Sequence, residues 1–68
     1  MKIFQERLLE QRKLYNLTQR EVAKKLEISQ PSYIRYEKGL AEPTLLNLVK
    51  LADIFDVSVD YLLGRDLI

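Results

Sequence analysis

At 68 residues and a formal net charge of +1, the chain is expected to form one small domain, 1–68, that depends on an efficient core. It has no cysteine and no histidine, which excludes disulfide staples, thiolate metal sites and the side chain best suited to proton transfer near neutral pH; no metal and no cofactor are expected. No apolar run approaches the ~20 residues of a membrane span, and the N-terminus lacks the basic start and apolar core of a signal peptide, so a cytoplasmic protein with no membrane contact is expected.

Residues 2–14 form the first expected helix. Phe4, Leu8 and Leu9 supply apolar positions at helical spacing among charged residues. Glu6, Arg7, Glu10 and Arg12 are placed for exposed near-neighbour pairs along it. Asn16 tolerates the left-handed conformation that ends a helix.

The second helix, roughly Gln19 to Leu26, opens with Thr18 and Glu21 at the spacing of a capping box. Val22, Ala23 and Leu26 share one face. Ala23 is either a plain helix former or the small residue at a close helix crossing, and its buried neighbours favour the crossing. Ser29 is the next N-cap candidate, for a third helix running roughly Ser29 to Lys38. Pro31 lies in its first turn, where the missing amide costs little, and Gly39 is its C-terminal stop. Tyr33 and Tyr36, at i and i+3, turn inward. The Tyr33 hydroxyl could instead reach a phosphate, but core packing is the stronger expectation. About three residues join these two helices, too few for them to lie antiparallel along their length, so a helix-turn-helix is expected.

Pro43 and Thr44 start a fourth helix, with Thr44 as N-cap. Leu45, Leu48, Val49, Ala52 and Phe55 make a broad apolar stripe, widened by Leu46 and Leu51, and are expected to form the backbone of the core. Ser58 caps a short fifth helix with Asp60 in its first turn, Leu62 and Leu63 inward, and Gly64 at its end. Val57-Ser58-Val59 alternates, but three residues do not make a sheet. The fold class expected is all-α: a compact five-helix bundle whose second and third helices form the helix-turn-helix.

Charge divides along the chain. Residues 1–40 hold nine Lys or Arg against five Glu, whereas residues 41–68 hold two against five Asp or Glu. A basic front half suits a face turned toward a polyanion, and an ordinary solvated surface fits it as well.

Taken together these motifs resemble the lambdoid-repressor and Cro-like helix-turn-helix domain, the xenobiotic-response-element family. The resemblance covers about residues 4–64. It rests on Leu17-Thr18-Gln19, Ala23, Ile28-Ser29-Gln30, Tyr33, Tyr36-Glu37-Lys38-Gly39, Pro43, Leu51-Ala52 and Val57-Ser58-Val59-Asp60-Tyr61-Leu62-Leu63-Gly64. Each is weak alone; the ordered set is specific.

The resemblance implies that the third helix enters the DNA major groove and that the second lies across the backbone. Base contacts then fall to Gln30, Pro31, Ile34 and Arg35. Gln30 suits adenine, Arg35 suits guanine, and Ile34 suits a thymine methyl. Backbone contacts fall to Thr18 and Gln19 at a helix N-terminus, with Ser32 and Lys38. Blander readings stand beside these: Gln30 as a first-turn polar residue, Arg35 as the partner of a nearby acid, Ile34 as a protein contact. An ion pair between Arg12 and Glu37 is also implied. Two departures matter. Glu27 stands in the turn where relatives often have Gly, and Leu40-Ala41-Glu42 lacks the basic residues relatives often place there.

The function implied is a sequence-specific double-stranded-DNA-binding transcriptional regulator, a repressor acting as a homodimer on a palindromic site. Val59, Leu67 and Ile68 are the expected dimer contacts; the tail could also be an internal cap, or the chain could continue into a longer protein. The alternative is an antitoxin-like or adaptor module whose business is a protein partner. Catalysis is not expected, because the carboxylates are dispersed and no nucleophile–base pair is present.

Overall fold

The computed structural model describes residues 1–66, which fold as α1 (Lys2–Leu14), α2 (Gln19–Leu26), α3 (Gln30–Lys38), α4 (Leu45–Ile54) and α5 (Val59–Leu63). Among the described residues there is no strand. Four helix starts are fixed by hydroxyl caps. Thr18, Ser29, Thr44 and Ser58 accept the backbone amides of Glu21, Ser32, Asn47 and Tyr61 at 3.0, 3.2, 3.1 and 2.9 Å. At Thr18 the box is complete, since its own amide donates to Glu21 Oε1 at 2.9 Å. That backbone hydrogen bond holds the Glu21 carboxyl below its ordinary pKa.

Each helix is followed by a left-handed residue: Asn16, Glu27, Gly39, Asp56 and Gly64, with φ of 56°, 60°, 73°, 51° and 75°. Asn and Asp bear this conformation better than other side chains do, so Asp56 joins Asn16 as a stop the sequence left unmarked. Glu27 has no such excuse, and the Cβ clash of an ordinary residue there costs roughly 1–2 kcal/mol. Glu27→Gly is therefore expected to stabilise the fold by about 1 kcal/mol, the gain being reduced by the extra freedom of Gly in the unfolded chain. A thermal melt reads this as a rise of about 4–8 °C; an unchanged or lower midpoint would contradict it.

The core draws on every helix. Phe4 and Leu8 come from α1, Val22, Ala23 and Leu26 from α2, Tyr33 and Tyr36 from α3, and Leu51 and Ala52 from α4; Leu62 comes from α5, and Phe55, just past α4, completes it. Ala23 is buried as expected, with α2 packed most extensively on α3. The Tyr33 and Tyr36 rings meet edge to face at 6.2 Å. α1 packs on α3 and α5, and α4 on α2 and α5.

α4 corrects the sequence expectation. Leu48, Leu51, Ala52 and Phe55 face inward, but Leu45, Leu46 and Val49 are 84%, 64% and 50% exposed. The helix carries two overlapping apolar stripes, 45-48-49-52 and 48-51-52-55, and both satisfy a helical period. Only the second meets α2 and α5. The arginines of α1 do not make the near-neighbour pairs along the helix that their spacing allowed. Instead of pairing along the helix, Arg7 bridges to α5 and the segment after it, donating to the Tyr61 carbonyl and to Asp66 Oδ1 at 2.6 Å and lying 4.3 Å over the Tyr61 ring. Arg12 reaches α3. Long-range partners with fixed geometry outcompete exposed neighbours one turn away, whose pairing gains only a few tenths of a kcal/mol. Of the expected dimer residues, Val59 is half-buried and packs against the core, while Leu67 and Ile68 lie outside the described residues.

Candidate nucleic-acid interface

The helix-turn-helix is held by one carboxylate. Glu37, near the end of α3, accepts hydrogen bonds from Arg12 Nε at 2.6 Å and Nη2 at 3.2 Å, from Gln19 Nε2 at 3.0 Å, and from the Tyr33 hydroxyl. Arg12 Nη1 also donates to the Leu17 carbonyl at 3.0 Å, just before α2. One buried acid thus ties α1, α2 and α3 together and sets the angle at which α3 is presented. The Arg12 side chain is 14% exposed and that of Glu37 is 6% exposed, so the pair is largely shielded from water.

Burial alone would raise the Glu37 pKa. The hydrogen bonds from Arg12, Tyr33 and Gln19 outweigh it, and the carboxyl is held below its ordinary value of 4.5. Burial and then the Glu37 contact push the Tyr33 hydroxyl well above the usual phenol range. Tyr33 is therefore a neutral donor to Glu37 inside the protein, which settles its role in favour of the core. Because the folded Glu37 pKa lies below the unfolded one, its stabilisation is complete above about pH 4.5 and is lost as pH falls through the folded value. Replacing it by Glu37→Gln is expected to lower stability at pH 7 and to flatten the fall between about pH 5 and pH 3. Urea denaturation across that range would show it, and an acid slope equal to wild type would contradict it.

Above this hub α3 shows a polar row to solvent. Gln30, Pro31, Ser32, Arg35 and Lys38 are exposed. Ile34 is half-buried rather than fully outward, so only part of its side chain is free for an apolar contact. Arg35 has no acidic partner among the described residues; its Nη2 donates to the Leu40 carbonyl at 3.2 Å, steadying the guanidinium against the following loop. Lys38 makes no ion pair among the described residues. The Ser29 hydroxyl donates to Ser32 Oγ at 2.8 Å, which leaves the Ser32 hydroxyl proton free.

At the start of α2 the capping box takes the amides of Thr18 and Glu21, and helix geometry leaves those of Gln19 and Arg20 without an internal acceptor. The Gln19 side chain is committed to Glu37. Its expected role at a phosphate thus narrows to its backbone amide, with the side chain serving to hold α2 against α3.

The structure adds two residues to those singled out in the sequence. Arg20 and Lys24 line a shallow depression with Ala23, Ile28 and Gln30, so two exposed cations of α2 sit beside the first residue of α3. The signal was available in their i, i+4 spacing opposite the apolar face of α2.

A family model described as helix-turn-helix matches residues 8–62. The cryptic phage CTXphi transcriptional repressor RstR of Vibrio cholerae serotype O1 is 51% identical over 65 residues, covering 96% of this chain and 57% of that protein. Two regulators of Bacillus subtilis strain 168 are also similar. ImmR is 41% identical, covering 90% of this chain and 48% of its own length, and AnsR is 43% identical, covering 90% and 53%. The chain thus spans about half the length of these curated relatives. No solved structure matches it significantly. The chain belongs to the Cro/repressor-type helix-turn-helix family, a family of DNA-binding transcription regulators and not of enzymes.

Proposed function

We propose that the chain binds double-stranded DNA sequence-specifically through α3, as the DNA-reading domain of a cytoplasmic repressor that acts as a homodimer on a palindromic site. The observation that carries this is the exposed row Gln30, Pro31, Ser32, Arg35 and Lys38 on a helix whose angle is set by the buried Glu37 hub. Preorganised polar side chains lose little freedom on meeting base edges, and amide and guanidinium groups are the ones that pair two-fold with adenine and guanine. Thr18, the Gln19 amide, Ser32 and Lys38 would fix register on the phosphates. Repression as the sign of regulation leans on the likeness to RstR.

Pairing follows from charge. The loop after Gly39 contributes Glu42 and no cation, so one copy makes few phosphate contacts and binds weakly. Two copies on half-sites about one helical turn apart remedy this. A mobility-shift titration across salt concentrations tests the reading. Affinity should fall steeply with salt and one sequence class should stand above random duplex; binding indifferent to both would overturn it.

A further inference from the structure

Arg20 and Lys24 stand exposed at i and i+4 on α2, opposite the buried Val22 and Leu26. Their charges work against the helix that carries them. Arg20 lies in the first turn, where the helix dipole disfavours a cation, and Lys24, one turn on, adds like-charge repulsion. No acid relieves the pair. Glu21 closes the capping box, and its carboxylate lies in the field of Lys25. Glu27, a turn beyond Lys24, makes no ion pair among the described residues, and neither do Arg20 and Lys24. The two cations instead line one depression with Ala23, Ile28 and Gln30. Ala23 is buried and Ile28 half-buried, so the polar rim consists of the two cations and the Gln30 amide. A rim of that composition suits an anion.

We infer that Arg20 and Lys24 hold the DNA phosphates beside the base that Gln30 reads, gripping the backbone at the start of α3 as Lys38 does at its end. The inference rests on the reading that α3 enters the major groove, and it locates where the affinity of that contact resides. α3 has nine residues and is therefore about 13 Å long, close to the major groove's width of about 12 Å. A helix of that length in that groove brings both of its ends near a flanking backbone. Phosphate at the Gln30 end offsets the repulsion that α2 alone leaves standing between Arg20 and Lys24. The loop after Gly39 contributes Glu42 and no cation, so the α2 grip carries the larger share of the backbone attraction. Neither residue reads sequence, since phosphates are alike at every base step. Arg20, Lys24 and Lys38 give one copy three such contacts, fewer than the roughly six to ten behind a steep salt dependence, and two copies on one site reach six.

The test is a salt titration of binding to a duplex that the wild-type protein selects from a random pool, compared with the variant Arg20→Gln, Lys24→Gln. Both positions are exposed and glutamine is a comparable helix former, so the variant should fold as the wild type does, which circular dichroism checks. The slope of log affinity against log salt should become shallower by about two for each copy bound. Raising salt from about 50 to 200 mM should then cost the wild type about tenfold more affinity per copy than the variant. The selected motif should stay the same. Arg20→Lys, which keeps the point charge, should keep the slope, and so should Arg65→Gln, which removes a cation just past α5, a helix packed on α1 and α4. Selection with Gln30→Ala marks the base that Gln30 reads, and a neutral methylphosphonate beside that base places the grip. It should weaken the wild type and leave the variant's affinity unchanged. A variant slope equal to that of the wild type overturns the inference, and so does a methylphosphonate penalty of the same size in both proteins. Failure of the wild type to bind any duplex would instead end the DNA reading itself.

Discussion

Arg12→Ala is expected to destabilise the fold by about 3–5 kcal/mol, toward the lower end because Gln19 and Tyr33 still donate to Glu37. The cost comes less from the attraction lost than from the carboxylate left behind, which is 6% exposed and would have to stay charged without its cation or take up a proton. A small domain holds only about 5–15 kcal/mol in total, so this one change removes a large share of it. Arg7→Ala is the control. Arg7 also makes an ion pair and a stacking contact, but with an exposed Asp66, where water competes for both partners. Its loss should cost much less. Denaturant melts of the two variants separate the cases, and equal midpoints would mean that the Glu37 hub does not organise the fold. Combining Arg12→Ala with Glu37→Gln should cost less than the two changes summed, because the second removes the charge the first leaves stranded.

Arg35→Ala is expected to lower affinity for the preferred DNA site by roughly tenfold to a hundredfold per half-site while leaving binding to random duplex almost unchanged. Each good two-fold contact to a base contributes about 1–3 kcal/mol of discrimination, and none of that is felt on DNA lacking the base. Folding should be little affected, since Arg35 is exposed and its one hydrogen bond is to the Leu40 carbonyl. Lys38→Ala should do the opposite. It removes a phosphate contact, weakens all sequences alike and reduces the salt slope by about one. If the two variants behave identically, the division of α3 into base-reading and backbone-holding residues is wrong. Retained binding of a protein partner by Arg35→Ala, with no effect on DNA, would move the chain to the adaptor class.

The helix boundaries were legible because they are local chemistry. Thr18, Ser29, Thr44 and Ser58 act through an amide three residues away, and Gly39 and Gly64 through their own backbone freedom. The Arg12–Glu37 pair was carried by the family resemblance, since 25 residues separate its partners and no local period links them. Of the two further donors to Glu37, Gln19 was invisible for the same reason and looked suited to a phosphate, whereas Tyr33, one helical turn from Glu37, was expected in the core without a partner for its hydroxyl. The outward face of α4 was misassigned because nearly every turn of that helix is apolar, and period alone cannot choose between overlapping stripes. What chooses is which neighbours arrive, and that is decided by the whole fold. Exposed Leu45, Leu46 and Val49 are the residue of that ambiguity and the main feature that packing within one copy leaves unexplained.

Selection of bound duplexes from a random pool tests the central claim most directly, run on the wild-type protein and on Arg35→Ala side by side. The account predicts a palindromic motif with half-sites about one helical turn apart, and the same motif from Arg35→Ala with one symmetric base position degraded. Recovery of no motif, or of an identical motif from both proteins, would contradict it.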